Sequence, residues 1–356
     1  MEPALRPDKP ISAFEFRLYR HYRIVHGVRI AIAFILSFLL VRLTDIPEGT
    51  WPLITLVVVM GPVSSWGNVF PRAIQRIGGT IAGSLSGLVA LKLELISLPW
   101  MLAWCAVVMF VSGYLALGKQ PYMALLIGIT LGVVVGSPAG DMVTALWRGG
   151  DVILGSLLAL FFTSIWPQKA YIQWRIRLAE TLTSTAKIYH AGFSPNVVQQ
   201  PRLNKPLQRV LADVVKLRAL LEPASKETRI PRSVMDAIQT VNRNIVCTLE
   251  LQINAWWASR ESHLILLNAP ALRRAQQMSE ATLRNLAEVL ISGDPEKVAS
   301  NSHELAEIAS ELRTLINAAK IGEGVETPIH GYAWLSLELA KQLERLSDLI
   351  RLALRK

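Results

Sequence analysis

Long uncharged apolar runs fill the chain up to about residue 167, and charged amphipathic periods fill the rest. Apolar runs recur near 28–44, 50–66, 75–93, 97–117, 121–138 and 147–167. Each comes close to the roughly 20 residues that an α-helix needs to cross a bilayer, though Gly and Pro break several of them. Beyond residue 168 the apolar positions return every three or four residues, as one face of a soluble helix requires. Leu207, Val210, Leu211, Val214 and Leu221 form one such face, and Val234, Ile238, Val241, Ile245 and Leu249 a second. Leu305, Ile308, Leu312 and Leu315 form a third, and Leu335, Leu339, Leu343, Leu346 and Ile350 a fourth. Gly192, Pro195 and Pro201 mark a loop, and Pro231 and Pro328 open helices. Asp294-Pro295-Glu296 supplies an N-cap, a proline at the first position and an acidic first turn. No period-2 pattern competes. The expected fold is all-α: a six-helix transmembrane block at 28–167, then a cytoplasmic helical bundle at 168–356. Residues 1–27 precede them. Of these, 1–12 are Pro-rich and expected to be mobile, and Phe14 to Arg29 read as an amphipathic helix on the membrane surface.

Small residues add detail to the membrane block. Gly79, Gly83 and Gly87 share one face of the third run. In water each glycine costs a helix about 1 kcal/mol against alanine; in a bilayer the same spacing lets a second helix approach closely. The fifth run carries Gly128, Gly132 and Gly136, and the sixth carries Asp151, Gly155, Ala159 and Thr163 at the same spacing. There is also an internal repeat. Ile54-Thr55-Leu56 leading to Gly61-Pro62 matches Ile129-Thr130-Leu131 leading to Gly136-Ser137-Pro138. Arg76 precedes Gly83-Ser84-Leu85 as Arg148 precedes Gly155-Ser156-Leu157. Runs two and three thus correspond to five and six. Three helices per half is an odd number, so the two halves are expected to be inverted relative to each other.

Charge sets the orientation. Arg6, Lys9, Arg17, Arg20, Arg23 and Arg29 precede the first run, Arg72 and Arg76 lie between the second and third, and Lys169, Arg175 and Arg177 follow the sixth. The opposite loops carry Asp45, Glu48, Glu94 and Asp141. Basic residues mark the cytoplasmic side, so both termini are expected inside, in a bacterial inner membrane. The net charge of +10 then reads as basic segments facing anionic lipid rather than nucleic acid. Two cysteines make no disulfide framework, and the six histidines show no metal-ligand spacing. The first apolar run follows a basic segment and lacks the small-residue exit of a cleavable signal. No G-x-S-x-G, Walker A or G-x-G-x-x-G occurs. Neither catalysis nor a cofactor nor a metal is expected.

Ionisable residues inside a membrane are the functional candidates. Arg76 is placed to bind an anion, or else to anchor the cytoplasmic face. Arg148 lies on the side where bases are scarce and matches Arg76 in the repeat; its alternative is a structural pair with Asp151, one turn on. Asp151 is also a candidate to carry a coupling proton. Thr55 and Thr130 stand near Gly-Pro breaks that expose backbone to a cavity, or bond back to their own helices.

Trp51-Pro-Leu-Ile-Thr55, Pro62, Arg72 and Arg76-Ile-Gly-Gly79-Thr80-x-x-Gly83 resemble the fusaric acid resistance (FUSC) family. The similarity covers roughly 20–167, and the membrane block is similar to that of the plant aluminium-activated malate channels. The resemblance implies six helices per block, a cytoplasmic helical domain and passage of organic anions, with Thr80 joining the substrate-binding set. The long exporters of the family carry two blocks and this chain one, so a homodimer is the implied match; a periplasmic adaptor stays open. The expected function is export of small, aromatic carboxylates. A passive anion channel, or a non-transporting scaffold whose bundle binds a partner, is the alternative.

Overall fold

The structure is a computed structural model that describes residues 8–47, 49–61, 66–118, 120–136, 142–165, 169–194, 199–228, 230–258, 270–298, 307, 310–311, 313–314 and 327–355. The described residues hold twelve long helices and no strand. The first seven are α1 (Ala13–Arg20), α2 (Tyr22–Thr44), α3 (Thr50–Met60), α4 (Trp66–Glu94), α5 (Leu98–Ala116), α6 (Pro121–Val135) and α7 (Met142–Ile165). The others are α8 (Ala170–Phe193), α9 (Asn204–Glu227), α10 (Arg232–Trp256), α11 (Pro270–Ser292) and α12 (Thr327–Leu354). Two compact units result: His21–Lys169, and Met1–Arg20 together with Ala170–Lys356. Leu305, Ile308, Leu312 and Leu315 themselves lie outside the described residues, while the described residues of that stretch, 307, 310–311 and 313–314, are helical. Pro62 and Ser137–Pro138 also lie outside the described residues.

In the unit of residues 21–169, α2 and α5 are long and apolar enough to cross a membrane by themselves, and only 11% of the apolar stretch of each is buried. Ile32, Ile35 and Leu39 on α2, and Val107, Phe110 and Tyr114 on α5, are exposed. Water does not tolerate apolar faces of that extent, whereas hydrocarbon does. The other four helices form the interior: α4 packs on α6 and α7, and α3 packs on α7. Two runs prove shorter than their apolar sequence suggests. At 1.5 Å per residue, the 11 residues of α3 reach about 17 Å and the 15 residues of α6 about 22 Å, against a hydrocarbon thickness of about 30 Å. Conversely, α4 begins at Trp66 and continues for 29 residues, so Arg72 and Arg76 lie within a continuous helix and not at its N-terminus.

The glycines explain which helices meet. A Cβ on Gly83 would sit 2.6 Å from Thr130 Cβ and 2.8 Å from the Ile127 carbonyl oxygen. On Gly79 it would sit 2.8 Å from Leu126 Cβ, and on Gly87 2.6 Å from Val134 Cβ. No side chain fits at such distances, so this seam belongs to α4 against α6. Gly155 does the same for α7 against α3, where a Cβ would strike Pro52 and lie 2.8 Å from Thr55 Cβ. The repeat is therefore realised as a reciprocal pair: Gly83 under Thr130, and Gly155 under Thr55. The glycines of α6 do not share one seam, contrary to their spacing. Gly128 faces α5, where a Cβ would sit 3.1 Å from Ser112 Oγ, while nothing lies within 4 Å of a Cβ on Gly132. Gly132 falls on the exposed face with Leu125 and Ile129. Gly136 ends the helix and meets only backbone of its own chain segment, from Gly132 and Val133.

In the other unit, α10 packs on α12, and α8 packs on α9 and α11. Trp174, Leu178, Leu217, Ile245, Leu249, Leu283 and Leu343 lie in one continuous core. Of the residues 1–12 expected to be mobile, 1–7 lie outside the described residues, and the remainder is docked: the Ile11 amide donates to the Ile291 carbonyl at 2.9 Å, and Ile11 packs with Tyr19 of α1 on Ile176. Arg175, 2% exposed, holds this segment. Its Nη1 pairs with Asp8 Oδ2 at 2.9 Å, and its Nε donates to the Leu290 carbonyl at 2.7 Å. Gly293, at φ +73°, completes the end of α11. The span 14–29 is not one helix, because α1 stops before a turn at His21 and α2 starts anew at Tyr22.

Tyr189 and Tyr332 are wholly enclosed, packed in tilted and edge-on contacts with Phe193 and Trp256, and burial pushes both phenols above their ordinary range. The folded state keeps these protons after an unfolded chain has released them, at pH values near 10. Stability of the bundle is therefore expected to be level up to about pH 9 and to fall as pH rises further. Chemical unfolding of the full chain followed by near-UV circular dichroism at pH 8, 9, 10 and 11 checks this.

Candidate functional site

Arg72, Arg76, Thr80 and Ser84 follow one another at four-residue spacing along α4, beside the glycine seam. Four-residue spacing stacks side chains on one helix face. Close approach of the glycine face to α6 brings this polar stripe into the interior. Arg76 is 7% exposed. Its Nη2 donates to Thr55 Oγ1 of α3 at 3.5 Å, and its Nε is buried with no hydrogen-bond partner. Tyr122, in the first turn of α6, also interacts with the Arg76 guanidinium, and the Arg72 guanidinium lies over the Tyr122 ring at 4.7 Å. Among the described residues no carboxylate stands within ion-pair distance of Arg76, whereas the buried Arg175 of the other unit has Asp8. Thr80 is 1% exposed, and its hydroxyl has no hydrogen-bond partner; nor has that of Ser84. A buried cation and two idle hydroxyls on one stripe form a surface suited to an anion with several oxygens.

The structure thus brings together Arg76 and Thr55, with Thr80 on the same stripe. Thr130 is half-buried and packs over Gly83. Asp151 is 2% exposed on α7. The side chain of Arg148 lies outside the described residues. The geometry adds two groups to the expected site: Arg72, known from the charge pattern but not expected to bind, and Tyr122. The four-residue step from Arg72 to Arg76 is a sequence signal. Tyr122 gives none, and in the repeat register its counterpart is Pro47, while that of Arg72 is Thr144. Among the described residues, no three His, Cys, Asp or Glu side chains gather as a metal would require.

These features define a helical membrane protein with a cationic interior site that has no carboxylate within ion-pair distance among the described residues. The chain belongs to the fusaric acid resistance protein family, whose profile matches residues 23–355. It is 60% identical over 352 residues to inner membrane protein YeeA of Escherichia coli (strain K12), covering 99% of this chain and 100% of that relative. It is 34% identical over 105 residues to the uncharacterized protein slr1298 of Synechocystis sp. (strain ATCC 27184 / PCC 6803 / Kazusa), covering 30% of this chain and 13% of that protein. Family membership supports a role in membrane transport rather than catalysis, and the relatedness to YeeA supports an inner-membrane location.

Proposed function

We propose that the chain exports small organic anions, aromatic carboxylates foremost, across the bacterial inner membrane. The observation that carries this reading is the burial of Arg76 with no acidic partner within ion-pair distance among the described residues. An isolated buried charge is costly, and a protein retains one where a ligand completes it. Thr55 and Thr80 offer hydroxyls to the same anion. The repeat extends the site to Arg148 and Thr130 in the second half, with Asp151 as the proton-coupling group.

The architecture that goes with this function is a block of six membrane helices, 28–167, arranged as two inverted three-helix repeats. Short α3 and α6 occupy corresponding positions in the two halves, which is where transporters with inverted repeats place their binding sites. Residues 168–356 form the cytoplasmic bundle, both termini face the cytoplasm, and two copies associate to match the double-block exporters. The one test is a thermal unfolding screen of purified protein against a panel of carboxylates. A true ligand at about 100 times its Kd stabilises by about 2.7 kcal/mol. Stabilisation by an aromatic carboxylate, absent for its neutral amide, is the expected result; no shift from any carboxylate counts against the reading.

A further inference from the structure

The first turn of α6 is poised next to the arginines and carries no compensating acid. Gln120 precedes it without a capping hydrogen bond from its side chain, and the first turn holds no acidic residue. Its backbone reaches the seam, since the Met123 carbonyl oxygen would lie 2.8 Å from a Cβ on Gly79. The free N–H groups of such a turn attract negative charge. Within this turn Tyr122 has two distinct ends. Its ring supports the Arg72 guanidinium at 4.7 Å. Its hydroxyl is buried without a hydrogen-bond partner of good geometry, although it interacts with Arg76. An arginine only donates hydrogen bonds, so the phenol can serve Arg76 only as acceptor and its own proton is left to give.

We propose that Tyr122 is a ligand-contacting residue: its ring positions Arg72, and its hydroxyl donates a hydrogen bond to an oxygen of the anion held by Arg76. This rests on the anion site proposed above. It also makes the two halves of the repeat unequal, since Pro47 and Thr144 hold the equivalent places. The end of the site at α6 then carries the stronger grip on the anion. A hydrogen bond to a charged group corresponds to about 10- to 100-fold in affinity.

The test measures benzoate binding by calorimetry, and unfolding without ligand, for the wild type, Tyr122→Phe and Arg76→Gln. Tyr122→Phe keeps the ring and removes one oxygen. The expected result is benzoate affinity reduced about 10-fold or more, with unliganded stability equal to or above that of the wild type. If Tyr122→Phe binds benzoate as the wild type does while Arg76→Gln does not, the Tyr122 inference falls and the site stands. If Tyr122→Phe lowers unliganded stability, the hydroxyl has a structural partner and the inference falls as well. If both variants bind as the wild type does, or the wild type does not bind benzoate, the anion site falls and takes this inference with it.

Discussion

Gly83→Leu is expected to break the packing of α4 on α6, while Gly132→Leu leaves the protein as stable as the wild type. Both replace a glycine in a four-residue series with the same side chain. At Gly83 the first added carbon alone would stand 2.6 Å from Thr130 Cβ and 2.8 Å from the Ile127 backbone oxygen. Backbone cannot step aside without moving a whole helix. The cost should exceed the roughly 1–3 kcal/mol typical of overpacking. Gly155→Leu should behave as Gly83→Leu does, because its neighbours are the Pro52 backbone and Thr55. At Gly132 nothing lies within 4 Å, and a leucine would join Leu125 and Ile129 on an exposed apolar face. Unfolding temperature and the monodisperse fraction in detergent provide the readout. Equal damage from Gly83→Leu and Gly132→Leu would show that Gly132 is an interface, such as one between two copies.

Arg76→Gln is expected to separate function from stability. A buried guanidinium with no ion-pair partner among the described residues costs folding free energy, and a neutral amide of similar reach lightens that cost. The variant should therefore unfold at the same temperature as the wild type or higher. Its affinity for a carboxylate should fall about 100-fold or more, since a charge-assisted pair and at least one hydrogen bond are lost. Stability gained as binding is lost is the pattern of a functional group maintained against its own folding cost. A merely structural arginine gives the opposite: lower stability with intact ligand affinity. Benzoate-dependent thermal shifts on both proteins distinguish the two.

Much of this is legible in the chain before any coordinates. The soluble periods at 207–221, 234–249 and 335–350 appear as α9, α10 and α12 because burying one face of a helix imposes its own spacing on the sequence. The repeat makes Gly83 equivalent to Gly155 and Thr55 to Thr130, so it explains why the contact Gly83–Thr130 has Gly155–Thr55 as its counterpart, but which helix each glycine meets is visible only in the fold. Other features are not legible, for identifiable reasons. Gly132 has the same spacing as Gly128, and only the course of the neighbouring helices decides which of the two meets one. Helix α3 ends at Met60, short of the expected end of its run near 66, because glycine at 61 is a poor helix former and caps it. The docking of Ile11 on Ile291 depends on a partner far along the chain, and a Pro-rich start carries no trace of it. Tyr122 owes its importance to two arginines on another helix, and the repeat conceals it because its counterpart is a proline.

Counterflow of labelled benzoate into vesicles preloaded with unlabelled benzoate tests the central claim most directly, because it needs no knowledge of the energy source. The wild type is expected to draw label inward faster than protein-free vesicles, and Arg76→Gln, correctly inserted and equally stable, is expected to match the protein-free rate. Counterflow in Arg76→Gln equal to that of the wild type would contradict the assignment of the anion to the buried face of α4.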